Sequence, residues 1–222
     1  MGRIKVLRNV LEKNDKLADE IHEITDKHNT KIINIMGTPG AGKTSLLEQI
    51  IPEMQGKYEM AVLEGDVATE NDAERIAELN IPTVQINTDQ FGGTCHLGAE
   101  MVKPALKKVE FKNKDIIFVE NVGNLICPAH FDIGADYNIT VLSITEGIDK
   151  PVKYPLMFRE SELAIINKID LAQYLDLEIE SMIENIKNIN HDIKIYKTAA
   201  TTNRGKPKLI KWFSNRVNKD VT

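Results

Sequence analysis

The stretch "GTPGAGKT", Gly37 to Thr44, decides the fold of this chain. It fits the pattern G-x-x-x-x-G-K-[ST] and lies between the β-branched run "KIINIM" and the helical run "SLLEQII". Gly37, Gly40 and Gly42 allow backbone N–H groups to turn inward around phosphate oxygens, where a Cβ would hinder the approach. A helix that begins near Lys43 would add the positive end of its dipole. The sequence therefore predicts a phosphate-binding loop between a strand and a helix.

The side chains of this loop have separate expected roles. Lys43 should reach the β- and γ-phosphates, and the Thr44 hydroxyl should coordinate Mg²⁺. The other residues expected to contact the nucleotide here are Gly37, Thr38, Pro39, Gly40, Ala41, Gly42 and Ser45. A chance glycine-rich turn is the alternative, but the flanking strand and helix favour a nucleoside triphosphate site.

Apolar runs alternate with helical periods along the whole chain. The predicted strands are "KIINIMG", "EMAVLEGD", "PTVQIN", "DIIFVENVG", "YNITVLSI", "ELAIINK" and "DIKIYKTAA". Helices are expected in the N-terminal segment and over 43–55, 70–80, 95–110, 171–190 and 205–218. This alternation predicts an α/β fold with a mostly parallel sheet of about seven strands flanked by helices. We expect one domain over 1–222, with a helical extension over 1–30 and a nucleotide- and metal-binding core over 31–222.

The composition excludes some partners. The chain has 222 residues, 42% of them hydrophobic and 27% charged, which is typical of a globular domain with one core. Its formal net charge of −5 gives no basic excess for binding nucleic acid or a membrane surface. The first twenty residues contain no apolar run of the length a signal peptide or membrane span needs, so a cytoplasmic protein is expected.

A second motif indicates which nucleotide binds. The run "LAIINKID" ends with Asn167, Lys168, Ile169 and Asp170, which resembles the N-K-x-D guanine-specificity sequence. An ionised Asp170 can accept from guanine N1–H and from the exocyclic amine together, and adenine presents no such pair of donors. Lys168 would lie along the base and Asn167 would brace the loop. GTP and GDP are therefore the expected ligands.

A weaker guanine contact is predicted near the C-terminus. The run "TAATTNRG" follows the last predicted strand, and Ala199 and Ala200 would supply backbone N–H groups to the base. A plain turn before the last helix explains the same residues equally well.

Two acidic strand ends lie between the nucleotide motifs. "AVLEGD" ends with Glu64, Gly65 and Asp66, and "IIFVENVGN" carries Glu120 and Gly123. The carboxyl ends of parallel strands meet at one edge of the sheet, which is where ligands bind. Asp66 is predicted to be a Mg²⁺-linked, nucleotide-sensing carboxylate and Glu120 to occupy the Walker B position, although each could simply cap a turn.

The segment after the second acidic strand should sense the γ-phosphate. Gly123 is suited to donate its N–H to that phosphate, so its segment should move when the phosphate leaves. Lys43, Asp66 and Glu120 are the predicted catalytic residues. No glutamine or arginine stands out as a group that orients water, which predicts slow intrinsic hydrolysis.

The two cysteines of the chain suggest a second site. Cys95 is followed by His96, and Cys127 lies four residues beyond Gly123. With Thr94 as the N-cap, Cys95 would start a helix whose dipole lowers the thiol pKa. Two thiolates and an imidazole suit Zn²⁺ or Ni²⁺, but three ligands leave a position for water or a second copy of the chain. The alternative is a buried, apolar Cys127 beside a solvated His96.

Five segments together resemble a known family. "GTPGAGKT", "EGD", "FGGTCHLGAEMV", "ENVGNLICPAHFDIG" and "NKIDL" occur in this order over residues 37 to 171 and are similar to HypB, the family of hydrogenase nickel-incorporation GTPases. The pair T-C-H-L and G-N-L-I-C-P is the specific part, since many GTPases carry the nucleotide motifs. By position, the resemblance implies that Cys95, His96 and Cys127 bind nickel or zinc, and that Thr44, Asp66 and Glu120 bind Mg²⁺.

The resemblance also implies a mode of action. The family has the fold of the SIMIBI class of P-loop GTPases, which includes the signal-recognition-particle, MinD and BioD proteins. Members dimerise with GTP and metal, and hydrolysis helps to load nickel into the [NiFe]-hydrogenase large-subunit precursor together with other nickel-maturation proteins. Because Cys127 follows Gly123, we expect GTP to shift Cys127 relative to Cys95 and His96.

Several features leave other readings open. Many relatives carry a nickel-holding cysteine- or histidine-rich N-terminus, whereas residues 1–30 here contain no cysteine and only His22 and His28. His130, Lys150 and Lys153 could also take part as a ligand or in contacts across a dimer. A urease-type nickel GTPase, in which a C-P-H metal motif is expected, and a regulatory GTPase without metal delivery are the alternative functions.

Overall fold

The fold is a single twisted sheet with helices on both faces. A computed structural model describes residues 2–66, 71–175 and 178–217, with side chains in these ranges except at 2–8, 66 and 71. Within these ranges seven parallel strands form one sheet in the order β3-β2-β4-β1-β5-β6-β7. They are β1 (Lys31–Gly37), β2 (Met60–Asp66), β3 (Thr83–Asn87), β4 (Ile116–Glu120), β5 (Tyr137–Ser143), β6 (Leu163–Asn167) and β7 (Lys194–Lys197). The predicted α/β architecture is confirmed.

The helices precede, connect and follow the strands and cover both faces of the sheet. They are α1 (Gly2–Asp26), α2 (Lys43–Met54), α3 (Asn71–Ala77), α4 (Ala99–Lys108), α5 (Lys150–Lys153), α6 (Pro155–Arg159), α7 (Ile179–Ile189) and α8 (Lys206–Val217). The short α5 and α6 were not predicted. The single helix expected over 171–190 was wrong: a 3-10 helix (Ile169–Tyr174) comes first, and α7 begins at Ile179. Lys168 adopts a left-handed φ of 61°, which turns the chain into this tighter helix.

Side chains of the central strands alternate between two buried faces. Ile33 of β1 and Phe118 of β4 face a cluster that includes Leu47 of α2 and Phe213 of α8. Their neighbours along the strands face the opposite side, where residues of α1 and α4 cover them. Each such side chain contributes about 1.5–3 kcal/mol when buried. Both faces are thus apolar, as parallel sheets with crossover helices require.

The strand register brings two carboxylates together. Glu64 of β2 pairs with Glu120 of β4, and Glu120 also pairs with Ile35, two residues before the end of β1. Beyond β4 the chain makes an antiparallel bridge between Asn124 and Gly37 at the start of the phosphate loop. The acidic residues and the loop therefore meet at the carboxyl edge of the sheet.

The N-terminal helix α1 lies against α4, and Ala18 and Ile21 of α1 are fully buried in the interface. No helix in the described ranges combines the length and the apolarity needed to cross a lipid bilayer.

Candidate functional site

The phosphate loop connects β1 to α2, as the sequence predicts, and lines a cavity of about 440 Å³. Gly40 and Gly42 adopt left-handed φ angles of 74° and 96°, which a side chain would strain. A Cβ on Gly42 would lie 2.4 Å from Asn167 Nδ2, so the close approach also requires glycine. Lys43 and Thr44 start α2 and are almost fully buried. The loop is thus shaped to present backbone N–H groups to an anion at the N-terminus of a twelve-residue helix.

Three carboxylates face the buried start of α2. The Thr44 hydroxyl donates to Glu120 Oε1 over 2.9 Å, and Lys43 Nζ lies 3.8 Å from the same oxygen. The carboxylates of Glu64, Asp72 and Glu120 lie within 4.8 Å of one another. Burial and the neighbouring Glu120 raise the pKa of Glu64 to about 11, and burial raises the pKa of Glu120. Glu64 therefore holds a proton in the metal-free protein, and a bound cation would displace it.

The residues present fit Mg²⁺. Glu64 Oε2 and Glu120 Oε2 are buried without a hydrogen-bond partner, and hard oxygen ligands of this kind suit Mg²⁺. Of the predicted magnesium ligands, Thr44 and Glu120 lie together. Asp66 ends β2, but its side chain lies outside the described residues. Glu64, not chosen as a ligand from the sequence, stands beside Glu120 because the β2–β4 register places it there.

An arginine that the sequence analysis overlooked also borders the cavity. Arg75 of α3 donates to Ser45 Oγ over 3.2 Å and is paired with Glu48 and Asp72 over 2.7 and 2.8 Å. These acidic partners raise the pKa of Arg75, with the hydrogen bond to Glu48 as the largest cause. No sequence motif marks Arg75, because its place at the cavity depends on how α3 packs against α2.

The predicted guanine-recognition residues surround the other end of the loop. Asn167 Nδ2 donates to Ala41 O over 2.9 Å, and Asn167 Oδ1 accepts from Thr198 Oγ1 over 3.0 Å. Lys168 Nζ donates to Gly40 O over 2.5 Å. Asn167 thus ties the end of β6 to the phosphate loop, as expected of a bracing residue.

The carboxylate of Asp170, which is predicted to bind guanine, accepts a hydrogen bond from the loop between β7 and α8. Thr201 Oγ1 donates to Asp170 Oδ2 over 3.0 Å, which brings "TAATTNRG" beside the N-K-x-D motif. The Ala199 N–H, however, donates to Arg204 O over 3.0 Å within its own loop. The expectation that this N–H is offered to guanine is therefore not met in this conformation, because the hairpin-like bridge between Ala199 and Arg204 uses it.

Gly123 lies directly against the phosphate loop. A Cβ at this position would approach Pro39 Cγ to 2.8 Å and Pro39 N to 2.9 Å. Asn121, Val122 and Gly123 all line the nucleotide cavity. The placement is the one expected of a segment that reports the γ-phosphate.

The two cysteines and His96 form a second cluster. One potential ligand atom from each of Cys95, His96 and Cys127 lies within 4.8 Å of the others, and all three residues are half-buried. Cys95 Sγ and Cys127 Sγ are 2.7 Å apart. Burial, together with the hydrogen bond between the two thiols, raises the pKa of Cys127 to about 11, so the metal-free pair retains a proton that a metal ion would displace.

The ring of His96 is fixed by its surroundings. It stacks on Phe131 with ring centroids 3.8 Å apart and an interplanar angle of 20°. Burial lowers the pKa of His96, which favours the neutral imidazole that binds metals. Its Nδ1 is buried without a hydrogen-bond partner, so this nitrogen is free for a ligand role.

The predicted helix start at Thr94 was wrong. The helix α4 begins at Ala99 with Gly98 as its N-cap, and Cys95 and His96 lie in the preceding loop. Thr94 Oγ1 instead donates to His96 O over 3.0 Å. Cys95 and His96 form a bend that lies outside the helix, so the helix-dipole argument for a low thiol pKa does not apply.

Two buried asparagines fix this loop by accepting hydrogen bonds from its backbone. Asn121 Oδ1 accepts from Leu97 N over 3.1 Å, and Asn14 Oδ1 of α1 accepts from Ala99 N over 3.0 Å. Asn14 Nδ2 also donates to Asp132 O over 2.8 Å, five residues beyond Cys127. A helix that precedes every strand thus fixes both metal-ligand loops.

Three residues whose roles the sequence leaves open do not belong to the described cysteine–histidine cluster: His130, Lys150 and Lys153. His130 ends the 3-10 helix Cys127–His130 and does not join Cys95, His96 and Cys127 among the described metal-ligand groups. Lys153 pairs with Asp149 over 2.5 Å, and Lys150 Nζ lies 5.5 Å from the ring centroid of Tyr154.

Known proteins are similar to this chain in sequence and in fold. Residues 31–197 match the nucleotide-binding domain family CobW/HypB/UreG. The hydrogenase maturation factor HypB of Escherichia coli K12 is 38% identical over 213 residues, which cover 96% of this chain and 72% of that protein. The crystal structure of HypB from Archaeoglobus fulgidus has a TM-score of 0.87 at 36% identity, covering 94% of this chain and all of that one.

A further solved relative carries a metal. The crystal structure of HypB from Helicobacter pylori in complex with nickel has a TM-score of 0.86 at 31% identity, covering 92% of this chain and 95% of that one. These matches confirm the predicted P-loop fold class. The chain therefore belongs to the CobW/HypB/UreG family of nucleotide-binding proteins, and within it to the HypB proteins.

Proposed function

We propose that the chain is a GTP-hydrolysing metallochaperone that binds nickel, or zinc in its place, through Cys95, His96 and Cys127. The observation that carries this proposal is the approach of the three ligand atoms to within 4.8 Å, with Cys127 on the segment that leaves the nucleotide cavity. The names of the relatives support hydrogenase maturation, and so the [NiFe]-hydrogenase precursor as the client. A regulatory GTPase without metal delivery does not require two adjacent thiols beside a neutral imidazole.

The nucleotide half of the function follows from the residues around the cavity. Lys43 binds the β- and γ-phosphates, and the backbone of the loop holds them in place for attack by water. Asp170 selects guanine, and Ala200 offers the base a backbone N–H from the other side. Bound Mg²⁺, held by Thr44 and Glu120 with Asp66, would neutralise charge that develops on the phosphate oxygens.

Intrinsic hydrolysis should be slow. Arg75 borders the cavity but is held by Glu48 and Asp72, so it does not point freely at the γ-phosphate in this conformation. Stabilisation of the transition-state charge is therefore incomplete in the isolated chain.

The metal half of the function is coupled to the nucleotide half. GTP draws Gly123 toward the γ-phosphate, and this shifts Cys127 relative to Cys95 and His96. Three protein ligands leave a coordination position open, which water or the same cluster of a second copy fills. GTP and metal together therefore favour a homodimer, with the whole of 1–222 acting as one unit.

Metal content and hydrolysis test this proposal. Protein purified without an affinity tag should hold nickel or zinc, hydrolyse GTP slowly, and lose the metal but not the hydrolysis on Cys127→Ala. The matched control is Ile126→Ala, since Ile126 is the exposed neighbour of Cys127. A wild-type chain without metal, or a Cys127→Ala variant that retains it, contradicts the metallochaperone.

A further inference from the structure

The loop that carries His96 is attached to the nucleotide cavity at two points. Leu97 follows His96 directly and is fully buried. Its N–H donates to Asn121 Oδ1 over 3.1 Å, and its side chain lies against Gly65, where a Cβ would approach Leu97 Cδ1 to 2.7 Å. Gly65 and Asn121 both line the nucleotide cavity. The loop that carries His96 therefore rests on two strand ends that line the nucleotide cavity.

Asn121 is placed where the two sites meet. It follows Glu120, and its backbone N–H donates to Ile35 O over 2.9 Å, which ties it to the strand that leads into the phosphate loop. Its Oδ1 accepts from Val122 N over 3.0 Å as well as from Leu97 N. One oxygen atom of Asn121 thus bonds to Val122, in the cavity-lining segment 121–123 (the γ-phosphate segment), and to Leu97, the residue after His96.

The carboxamide of Asn121 is held rigidly from its other side. Asn121 Nδ2 donates to Asn34 Oδ1 over 3.1 Å, and Asn34 Nδ2 donates to Asn138 Oδ1 over 2.9 Å. Asn121 and Asn34 are both buried, so this chain of amides is expensive to break and has few alternative arrangements. When the backbone at Asn121 moves, its oxygen moves with it.

We propose that Asn121 is the positioning residue that transmits the nucleotide state to the metal site by moving Leu97, and with it His96. The inference rests on the proposed function, in which GTP and metal binding are coupled. Cys127 is joined to the γ-phosphate segment by the chain itself, whereas His96 is joined to it through Asn121. Both sides of the metal cluster are thereby displaced by the same event, which a shift of Cys127 alone does not achieve.

The test compares how strongly nucleotide changes metal affinity in three variants. Ni²⁺ is titrated into the GDP·Mg²⁺ form and into the form with a non-hydrolysable GTP analogue, and the ratio of the two Kd values is the readout. Asn121→Ala should bring this ratio to about one, because Leu97 loses its acceptor. Asn121→Asp keeps an acceptor for Leu97 N and Val122 N but cannot donate to Asn34 Oδ1, so its ratio should lie between that of Asn121→Ala and that of the wild type.

A control separates transmission from general disturbance of the amide chain. Asn138→Ala breaks the far end of the same chain without touching Leu97 and should leave the ratio unchanged. A wild-type ratio of one rejects the coupling of the proposed function itself, and this inference with it. A wild-type ratio well away from one that persists in Asn121→Ala overturns only the role of Asn121.

The chemical shift of a single amide keeps the inference testable if Asn121→Ala does not fold. In the wild-type protein, the NMR chemical shifts of the Leu97 amide should differ between the GDP and GTP-analogue forms, since this amide moves together with its acceptor. Identical shifts of this amide in the two forms would overturn the proposal.

Discussion

The sulfur atoms of Cys95 and Cys127 touch at 2.7 Å, although 32 positions of sequence separate the two residues. The first lies in the loop before α4, and the second begins the 3-10 helix that follows the γ-phosphate segment. Neither cysteine forms a disulfide. The contact therefore joins a loop that is fixed by α1 to a segment that is fixed by the nucleotide cavity.

Replacing Cys95 with alanine should separate metal binding from nucleotide binding. We expect the Kd for Ni²⁺ to rise by at least about 100-fold, because loss of a direct ligand exceeds the 10–100-fold typical of outer partners. Affinity for GTP should stay within a few-fold, since Cys95 does not line the nucleotide cavity. Calorimetric titration of both ligands measures this, and an equal loss of the two would indicate misfolding.

The buried carboxylate cluster should make the nucleotide-free protein sensitive to alkali. The pKa of Glu64 rises from about 4.5 to about 11 on folding, so the native state holds a proton that the unfolded state releases. The contribution of this proton to the free energy of unfolding is fully present below pH 4.5 and is lost as pH rises toward 11. Between pH 6 and pH 9, the Tm of the wild type should therefore fall.

Glu64→Gln isolates this effect, because glutamine keeps the shape and cannot ionise. The variant should lose less Tm than the wild type over the same pH interval in the absence of Mg²⁺ and nucleotide. Glu59→Gln, at an exposed carboxylate, is the control and should follow the wild type. If Tm falls with pH equally in all three proteins, the pKa of Glu64 is not raised by folding.

Asp170→Asn should change the preferred base. Guanine offers two donors to the carboxylate, whereas xanthine carries a carbonyl oxygen where guanine has its amine, which suits an amide. We expect GTP affinity to fall about 10- to 100-fold, as for losing a hydrogen bond to a charged group, and XTP affinity to rise. Competition between labelled GTP and XTP measures this, and unchanged affinities for both nucleotides would place Asp170 outside the base site.

Asn14 should stabilise the fold as well as the metal loops. In Asn14→Ala, the Ala99 N–H and the Asp132 carbonyl lose their partner, which should lower the free energy of unfolding by about 1–3 kcal/mol. Asn9→Ala, on the exposed part of the same helix, should change it by less than about 0.5 kcal/mol. Urea denaturation distinguishes the two, and equal effects would mean that the bonds of Asn14 contribute little.

The sequence predicts well whatever depends on neighbours along the chain. Gly37 to Thr44 and Asn167 to Asp170 carry their chemistry in short motifs, and the apolar strands set the order of the elements. The carboxylate at Glu64 and the guanidinium at Arg75 were not selected, because the β2–β4 register and the packing of α3 bring them to the cavity.

The start of α4 shows why the remaining errors arose. Thr94 is a good N-cap by local preference, but Asn121 and Asn14 accept hydrogen bonds from the N–H groups of Leu97 and Ala99 and hold the loop outside the helix. Both acceptors are far away in sequence, so tertiary hydrogen bonds outweigh the local signal. The same bonds keep Cys95 and His96 out of the helix and in reach of Cys127.

The most direct test of the account is whether nucleotide state and metal affinity are linked in the unmodified protein. Ni²⁺ is titrated into the GDP and GTP-analogue forms, and each nucleotide is titrated with and without Ni²⁺. If the two sites are coupled, the two Ni²⁺ affinities should differ by at least about fivefold, and Ni²⁺ should change the ratio of the two nucleotide affinities by the same factor. Identical Ni²⁺ affinities in the two forms would contradict it.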